Sequence, residues 1–592
     1  MLFSRHLRAA RAAGGPGPLA EGGRHDHVLE DQAGVVGIAR SRGPAVLVAG
    51  DVCGADGAEV AAAVSGVLGG GREPTAVLDG FHGEFVVVVA DPGDDEVTVV
   101  ASRSGIRPLF VHHRSGGELL VADDLGALAA ALVGRGVPLR PDRAFFACVV
   151  AELPTDPIAG PLQPTPYQGV LRVPPGTRLT IGTGLGRPVR YWRYWERDLL
   201  RRSEVLDAVR DSLRRAVELR TVPGATGVML SGGLDSSSVA AMAARYARGG
   251  PPRCYTTFLA GDRSLDERRH AAAVTSAIGA KGRFLDATGR WSFRDVPDLS
   301  RPPIAEPRQG WFYAQEVHLA EAAAADGVRV LLDGNGSDDL FGGDFNNGDG
   351  RLTPWRPGSR VPLLAPIRLL STLSRACPRP LTRPVVYRPE LLPSLLSPEV
   401  VREIDLVGLA NARLADLNDL DLDPMTKGRL LTFGGGSDRV VAGYAWGQRE
   451  VFGPRGLTWR QPFYDHRLIE TAFSVPMDML LSRAVKKPLL RKAVTPLLPS
   501  STVRRKYNGA FDALVRTGLT QERERLVACT EGAMLGKLGI VDEQIFHNKV
   551  RGLTYDHDGG DPANPMEHHH VWNLLVCELW LRDHAERSRL IL

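Results

Sequence analysis

The stretch GVMLSGGLDSSSVAA, residues 227–241, gathers Ser231, Gly232, Gly233, Asp235 and Ser236 into one short turn. Residues of these types in this order can hold a phosphate. Two glycines let a ligand approach the backbone, and the amides that open the following helix point at it with the positive end of the helix dipole. Asp235 would repel a bare phosphate, so the turn makes chemical sense with a divalent cation between carboxylate and phosphate oxygens. Nucleotide with magnesium is the economical reading. Taken alone, Ser-Gly-Gly could equally be a loop with a capping Asp. A second turn of the same kind lies in VRVLLDGNGSDDLFGGD, residues 328–344, where Asp338 offers the other metal-binding carboxylate. There Gly334 would let adenine or ribose lie against the backbone, while Asp339 suits a helix cap. No G-x-x-x-x-G-K-[ST] loop is present, since Gly536-Lys537 is followed by Leu538.

These turns need strands to carry them. Gly227 to Leu230 is short and apolar, like a buried strand, and Ser236 to Arg245 reads as a close-packing helix. Around them helix and strand patterns alternate: a helix over 203–220, strand CYTTFLA, helices over 266–278 and 313–326, and strand VRVLLDG. That order implies a parallel sheet covered by helices, with both turns outside the carboxyl ends of strands and facing one crevice. Upstream, from about residue 34 to 133, short β-like runs such as GEFVVVVAD and VTVVAS alternate with glycine-rich turns, as in a sheet domain. A proline-rich passage and the pairs Tyr191-Trp192 and Tyr194-Trp195 follow, and the domain boundary is placed near 196–203. Beyond about 360 the chain reads as helices and loops.

Composition narrows the class. The 592 residues are 43% apolar and 24% charged, as in soluble globular proteins of two to four domains. A formal charge of +4 with no basic stripe gives no footprint for nucleic acid. Cysteines 53, 148, 254, 377, 529 and 577 are scattered without C-x-x-C pairs, which argues against a disulfide framework or a zinc site and fits a reducing cytoplasm. The amino terminus lacks the apolar core of a secretory signal, and no run of about 18 apolar residues could span a membrane. His568, His569 and His570 sit within MEHHHVWNLLVCELWLRD, a pattern for an amphipathic helix rather than a metal site.

LSGGLDSS resembles the pyrophosphate-binding loop of ATP pyrophosphatases that activate a carboxylate as an adenylate, specifically the asparagine synthetase family. DERRHAAAVTSAIGA, LDGNGSDDLFGG and RQPFYDHRLIETAFSVP are similar to that family's later segments and occur in its order along residues 203–592. The N-terminal half, residues 1–195, resembles its glutaminase domain at FHGEFVVVVAD and at the G-I-x-P-L pattern. The implied fold is α/β: a degenerate Ntn-type αββα sheet domain, then a parallel-sheet ATP pyrophosphatase domain with a helical extension. The resemblance implies ATP and Mg2+ as cofactors, Asp235 and Asp338 as metal ligands, and Leu230, Ser231, Gly232, Gly233, Asp235, Ser236 and Gly334 at the nucleotide. In KKPLLRKAVTPLLPSSTVRRKYNGAF, which is similar to the family's K-x-x-L-R and R-x-K segments, it makes Lys506 the lysine that neutralises charge during amide formation.

Two departures shape the expected activity. Residue 2 is Leu where the glutaminase nucleophile is an N-terminal cysteine, the family's Asn-Gly has no counterpart near DVCGADG, and Cys53 and Cys148 are internal; glutamine hydrolysis is not expected. Asn335 stands where asparagine synthetases carry Glu. Two branches of the family lack the cysteine and close rings with the substrate's own amine: β-lactam or carbapenam synthetases and lasso peptide cyclases. The carbapenam-type enzymes carry Tyr at the Asn335 position and are shorter, so length and Asn335 favour the lasso cyclase. That resemblance implies a macrolactam synthetase acting on a leader-free precursor peptide, with the pathway's leader peptidase and leader-binding protein as partners. The competing readings are a β-lactam-forming synthetase, an ammonia-using asparagine synthetase and a non-catalytic nucleotide-binding scaffold.

Overall fold

The run EFVVVVA, residues 84–90, shows no polar alternation because both its faces are buried: Val86 and Val88 point one way, Val87 and Val89 the other. In the computed structural model, which describes residues 2–6, 28–30, 35–39, 45–69, 73–90, 96–114, 118–153, 161–260, 266–294, 305–307, 312–342, 386–422, 424–431, 433, 437–482, 485–505, 512–552 and 565–587, this run lies at the centre of the N-terminal half.

Twelve strands build that half: β1 Leu2–His6, β2 Val28–Glu30, β3 Val35–Ala39, β4 Ala45–Cys53, β5 His82–Ala90, β6 Val97–Val100, β7 Phe110–Arg114, β8 Glu118–Ala122, β9 Gln163–Pro164, β10 Val170–Arg172, β11 Thr177–Ile181 and β12 Val189–Arg190. They form two six-stranded antiparallel sheets, ordered β2-β1-β8-β7-β10-β9 and β12-β11-β6-β5-β4-β3. Val86, Val88 and Val99 of one sheet meet Val111, Leu119 and Val121 of the other in a common core. On the far side of the second sheet, α1 (Gly57–Leu68) lays Val60 and Val64 on Val87 and Val89. On the far side of the first, α2 (Leu125–Gly134) and α3 (Arg143–Ala151) cover Phe110 and Leu120. The layers therefore run αββα.

The C-terminal half centres on a five-stranded parallel sheet of β13 Thr226–Met229, β14 Arg253–Phe258, β15 Lys281–Asp286, β16 Val330–Leu332 and β17 Thr458–Arg460, ordered β15-β14-β13-β16-β17. Helices α4 Val205–Leu219, α5 Leu234–Tyr246, α6 Arg268–Ala277, α7 Tyr313–Ala325 and α8 Ser337–Phe341 accompany it. The expected strand and helix positions are recovered within a few residues, α5 starting at Leu234 with Gly233 as its N-cap. Two strands depart from the sequence reading. In β15, KGRFLD, Leu285 is the one buried side chain, so the edge strand has no apolar run to announce it. β17 lies in the region expected to hold helices and loops, and only its pairing with β16 makes it a strand.

The halves are not held by a bare linker. Tyr194 packs edge-on against Phe433 and Phe473, and Trp192 Nε1 donates to Glu470 at 3.0 Å, so the aromatic doublets before the boundary are wedged between the two. The C-terminal helix Pro565–Glu586, which includes the three consecutive histidines, brings Trp580 to 5.7 Å from Phe146 of α3, ring centre to ring centre.

Candidate active site

The first turn leaves β13 and enters α5 as a closed ring of hydrogen bonds. Ser231 N donates to Ser236 Oγ at 3.1 Å, the two hydroxyls lie 3.0 Å apart, and Gly233 N donates to Ser231 Oγ at 3.3 Å. Gly232 has φ of +73°, and a Cβ there would lie 2.7 Å from the Ala271 amide nitrogen, so both its conformation and the contact with α6 require glycine. Leu230 is buried and anchors the turn: its N–H bonds Tyr255 O at 2.8 Å and its carbonyl accepts from Thr256 Oγ1 at 2.7 Å. Arg505 holds the turn from outside, donating to Gly232 O at 3.3 Å while its guanidinium forks onto Glu267 with two bonds of 2.6 Å. Lys506, the next residue, lies outside the described residues.

The second turn leaves β16 and meets the first backbone to backbone. A Cβ on Gly334 would lie 2.4 Å from Ser236 N and 2.7 Å from the Asp235 carbonyl carbon, so no side chain fits there. This contact brings Ser337 and Asp338 to Asp235. Lys487, just before the helix Pro488–Val494, completes the group: Nζ lies 2.7 Å from Asp235 Oδ1, 2.7 Å from Ser337 Oγ and 3.0 Å from Asp338 Oδ1, and Ser337 Oγ bonds Asp235 Oδ1 as well. Burial works against the Lys487 ammonium, but Asp235 and Asp338 prevail and hold its pKa above the ordinary lysine value. Lys487 is the K of the K-x-x-L-R segment. The register of that segment singles out Lys487 over Lys486, but nothing in the sequence places it on these carboxylates.

The two neighbouring aspartates separate. Asp338 faces Lys487 and is about half exposed, whereas Asp339 acts electrostatically on Tyr444 and Tyr464 on another side of the turn. Asn335 is exposed at the tip of the turn, and Asp333 fixes it by accepting from both Asn335 N at 3.2 Å and Nδ2 at 2.8 Å. Burial pushes Asp333 up to about 7 against these bonds, and Glu316, buried within reach of the Asp333 charge, rises to about 7 too.

Behind the second turn stands the junction with the N-terminal half. Gly336 packs against the Tyr464 ring, and the residue after Tyr464, Asp465, caps the helix His466–Phe473 by accepting from Arg467 N at 3.0 Å and Leu468 N at 3.3 Å. Its other oxygen is shared by Arg220 at 2.6 Å and by His82 of β5 at 2.8 Å. Nearby, Arg460 at the end of β17 forks onto Asp51 of β4 with two bonds of 2.6 Å. His82, Asp465 and His466 bring potential ligand atoms within 4.8 Å of one another. The guanidinium on Asp465 makes this an ion-pair cluster rather than a cation site, and burial with the Arg103 charge pushes His466 down to about 2.

Comparison with known proteins identifies the family. The asparagine synthase profile matches residues 208–582. A protein of Mycobacterium bovis provisionally described as a glutamine-hydrolysing asparagine synthetase is 25% identical over 575 residues, 87% of this chain and 78% of that one. The carboxyethyl-arginine β-lactam synthase of Streptomyces clavuligerus is 32% identical over 209 residues, 34% of this chain and 35% of that one. Amidase chry2 of Gibberella zeae is 28% identical over 294 residues, and the matched chain spans 40% of its length. Fold and site thus define an ATP-dependent amide-forming ligase. The chain belongs to the asparagine synthase family.

Proposed function

We propose that this chain is a lasso peptide macrolactam synthetase that adenylates an Asp or Glu side chain of a leader-free peptide and joins it to the peptide's α-amine. The observation that carries the reading is Asn335, exposed and held by Asp333 in the same turn that brings Ser337 and Asp338 to Asp235 and Lys487. In the first step the carboxylate oxygen attacks the α-phosphorus of ATP and pyrophosphate leaves. In the second the neutral amine attacks the acyl carbon, AMP leaves and one proton is released. The turn from Ser231 to Ser236 would hold the departing pyrophosphate and Lys487 its charge, while Asn335 Oδ1 would accept an N–H of the incoming amine and orient it. Asp235 and Asp338 offer hard oxygen ligands of the kind Mg2+ takes, and a bound Mg2+ would neutralise phosphate charge.

The test is a linear peptide with a free α-amine and an acidic side chain a few residues along. The product should be lighter by one water, with AMP and pyrophosphate in equal amounts. Acetylating the amine should stop ring closure and leave adenylation; changing the acid to its amide should stop both. ADP and phosphate as stoichiometric products would sink the mechanism. The similarity to the Streptomyces synthase favours a second reading, β-lactam closure. AMP release driven by carboxyethyl-arginine, with none from peptides, would select it.

No glutaminase activity is expected. Burial pushes the Cys53 thiol up to about 12, with Asp51 adding to it, and burial raises Cys148 too, so neither supplies a thiolate at neutral pH. Incubation with glutamine should release no glutamate above a buffer control; steady release by pure protein would contradict this.

A further inference from the structure

At the other ends of the same parallel strands, away from both turns, lies a cavity of about 240 Å3. Its charged lining is entirely cationic: Arg248 after α5, Arg253 opening β14 and Lys281 opening β15. Arg253 and Lys281 are register partners on neighbouring strands, an arrangement in which like charges destabilise the pair. None of the three forms an ion pair with a described residue. Asp326 lies within the field of Arg253, but it is taken by Arg283 at 3.0 Å and accepts from the Tyr255 hydroxyl at 2.9 Å. The carbonyl end of α5 accounts for one of the cations, Arg248, through the helix dipole. It does not account for two more at strand starts. Gly224, Gly250 and Gly279 line the same cavity with open space above their Cα atoms, so backbone as well as side chains can be reached.

We propose that this cavity binds a small phosphate-type oxyanion, which bridges Arg253 and Lys281 and relieves their repulsion. Because β13 and α5 run from the cavity to the nucleotide turn, the ligand would sit at the far end of the two elements that position Ser231 and Asp235.

The experiment is amide hydrogen exchange on the full chain as inorganic phosphate is raised to ~10 mM, with chloride balancing ionic strength. Exchange in segments 247–253 and 278–282 should slow at least twofold in the wild type. In Arg253→Gln/Lys281→Gln the slowing should vanish, and the melting temperature without phosphate should equal or exceed that of the wild type. Lys281→Gln alone should weaken the phosphate response at least threefold and melt no lower. Phosphate protection confined to segment 230–237, protection retained in the double variant, or a double variant that melts lower than wild type in chloride would each overturn the proposal.

Discussion

Asp338→Asn should lower pyrophosphate formation by roughly a hundredfold or more under the proposed magnesium role, in which a lost ligand charge removes several kcal/mol of stabilisation from the leaving group. The fold should survive, since the side chain is about half exposed and its partner Lys487 keeps Asp235 and Ser337. Asp339→Asn should be milder, because Asp338 is the carboxylate on Lys487 while Asp339 acts on Tyr444 and Tyr464. The assay is ATP-dependent pyrophosphate release with saturating substrate, alongside a melting curve for each variant. A more damaging Asp339→Asn would show that the wrong carboxylate has been assigned to the metal.

The largest stability loss should come from Asp465→Ala. It strips a buried guanidinium of its counter-charge and also removes a helix cap; breaking such a buried pair costs about 3–5 kcal/mol. Asp465→Asn keeps a capping oxygen and should lose less. Burial opposes the Asp465 charge, but Arg220 and His82 prevail and hold its pKa far below the ordinary carboxylate value. The sign follows: with a depressed folded pKa, the stabilisation is complete above the unfolded value of ~3.9 and is lost as pH falls toward the folded one. The gap in urea midpoint between wild type and Asp465→Asn should therefore shrink as pH falls below about 4. A gap unchanged at pH 3 would mean that the charge is not the source of the stability.

The nucleotide turn was legible because its message is local. Strand, glycines, Asp235 and helix lie within fifteen residues, and the structure keeps them so. Asp338 was legible as part of a second strand and turn, and the rule that turns at the carboxyl ends of parallel strands face one crevice brought it toward Asp235. Lys487 was not, because its meaning depends on carboxylates more than 140 residues away in sequence. Nor was Asp465 legible as more than part of a motif, since its partners Arg220 and His82 come from distant segments and charged residues ordinarily read as solvated surface. The same holds for β17, a three-residue strand defined by its neighbour. The N-terminal half was recognisable as a sheet domain from its valine-rich runs, and its αββα layering only through the family resemblance; which valine faces which layer depended on sheet order, and that order is non-local.

The contact of Gly334 with Asp235 and Ser236 bears on how such a chain can change. Because the two turns touch through backbone, their approach leaves no room for any side chain at Gly334. A substitution at Gly334 would force the turns apart. Asn335, one residue on, is exposed and faces no such limit. Of two consecutive positions, one is frozen and its neighbour is free to drift. New acceptors can therefore be explored at the tip while the ability to activate a carboxylate is inherited unchanged.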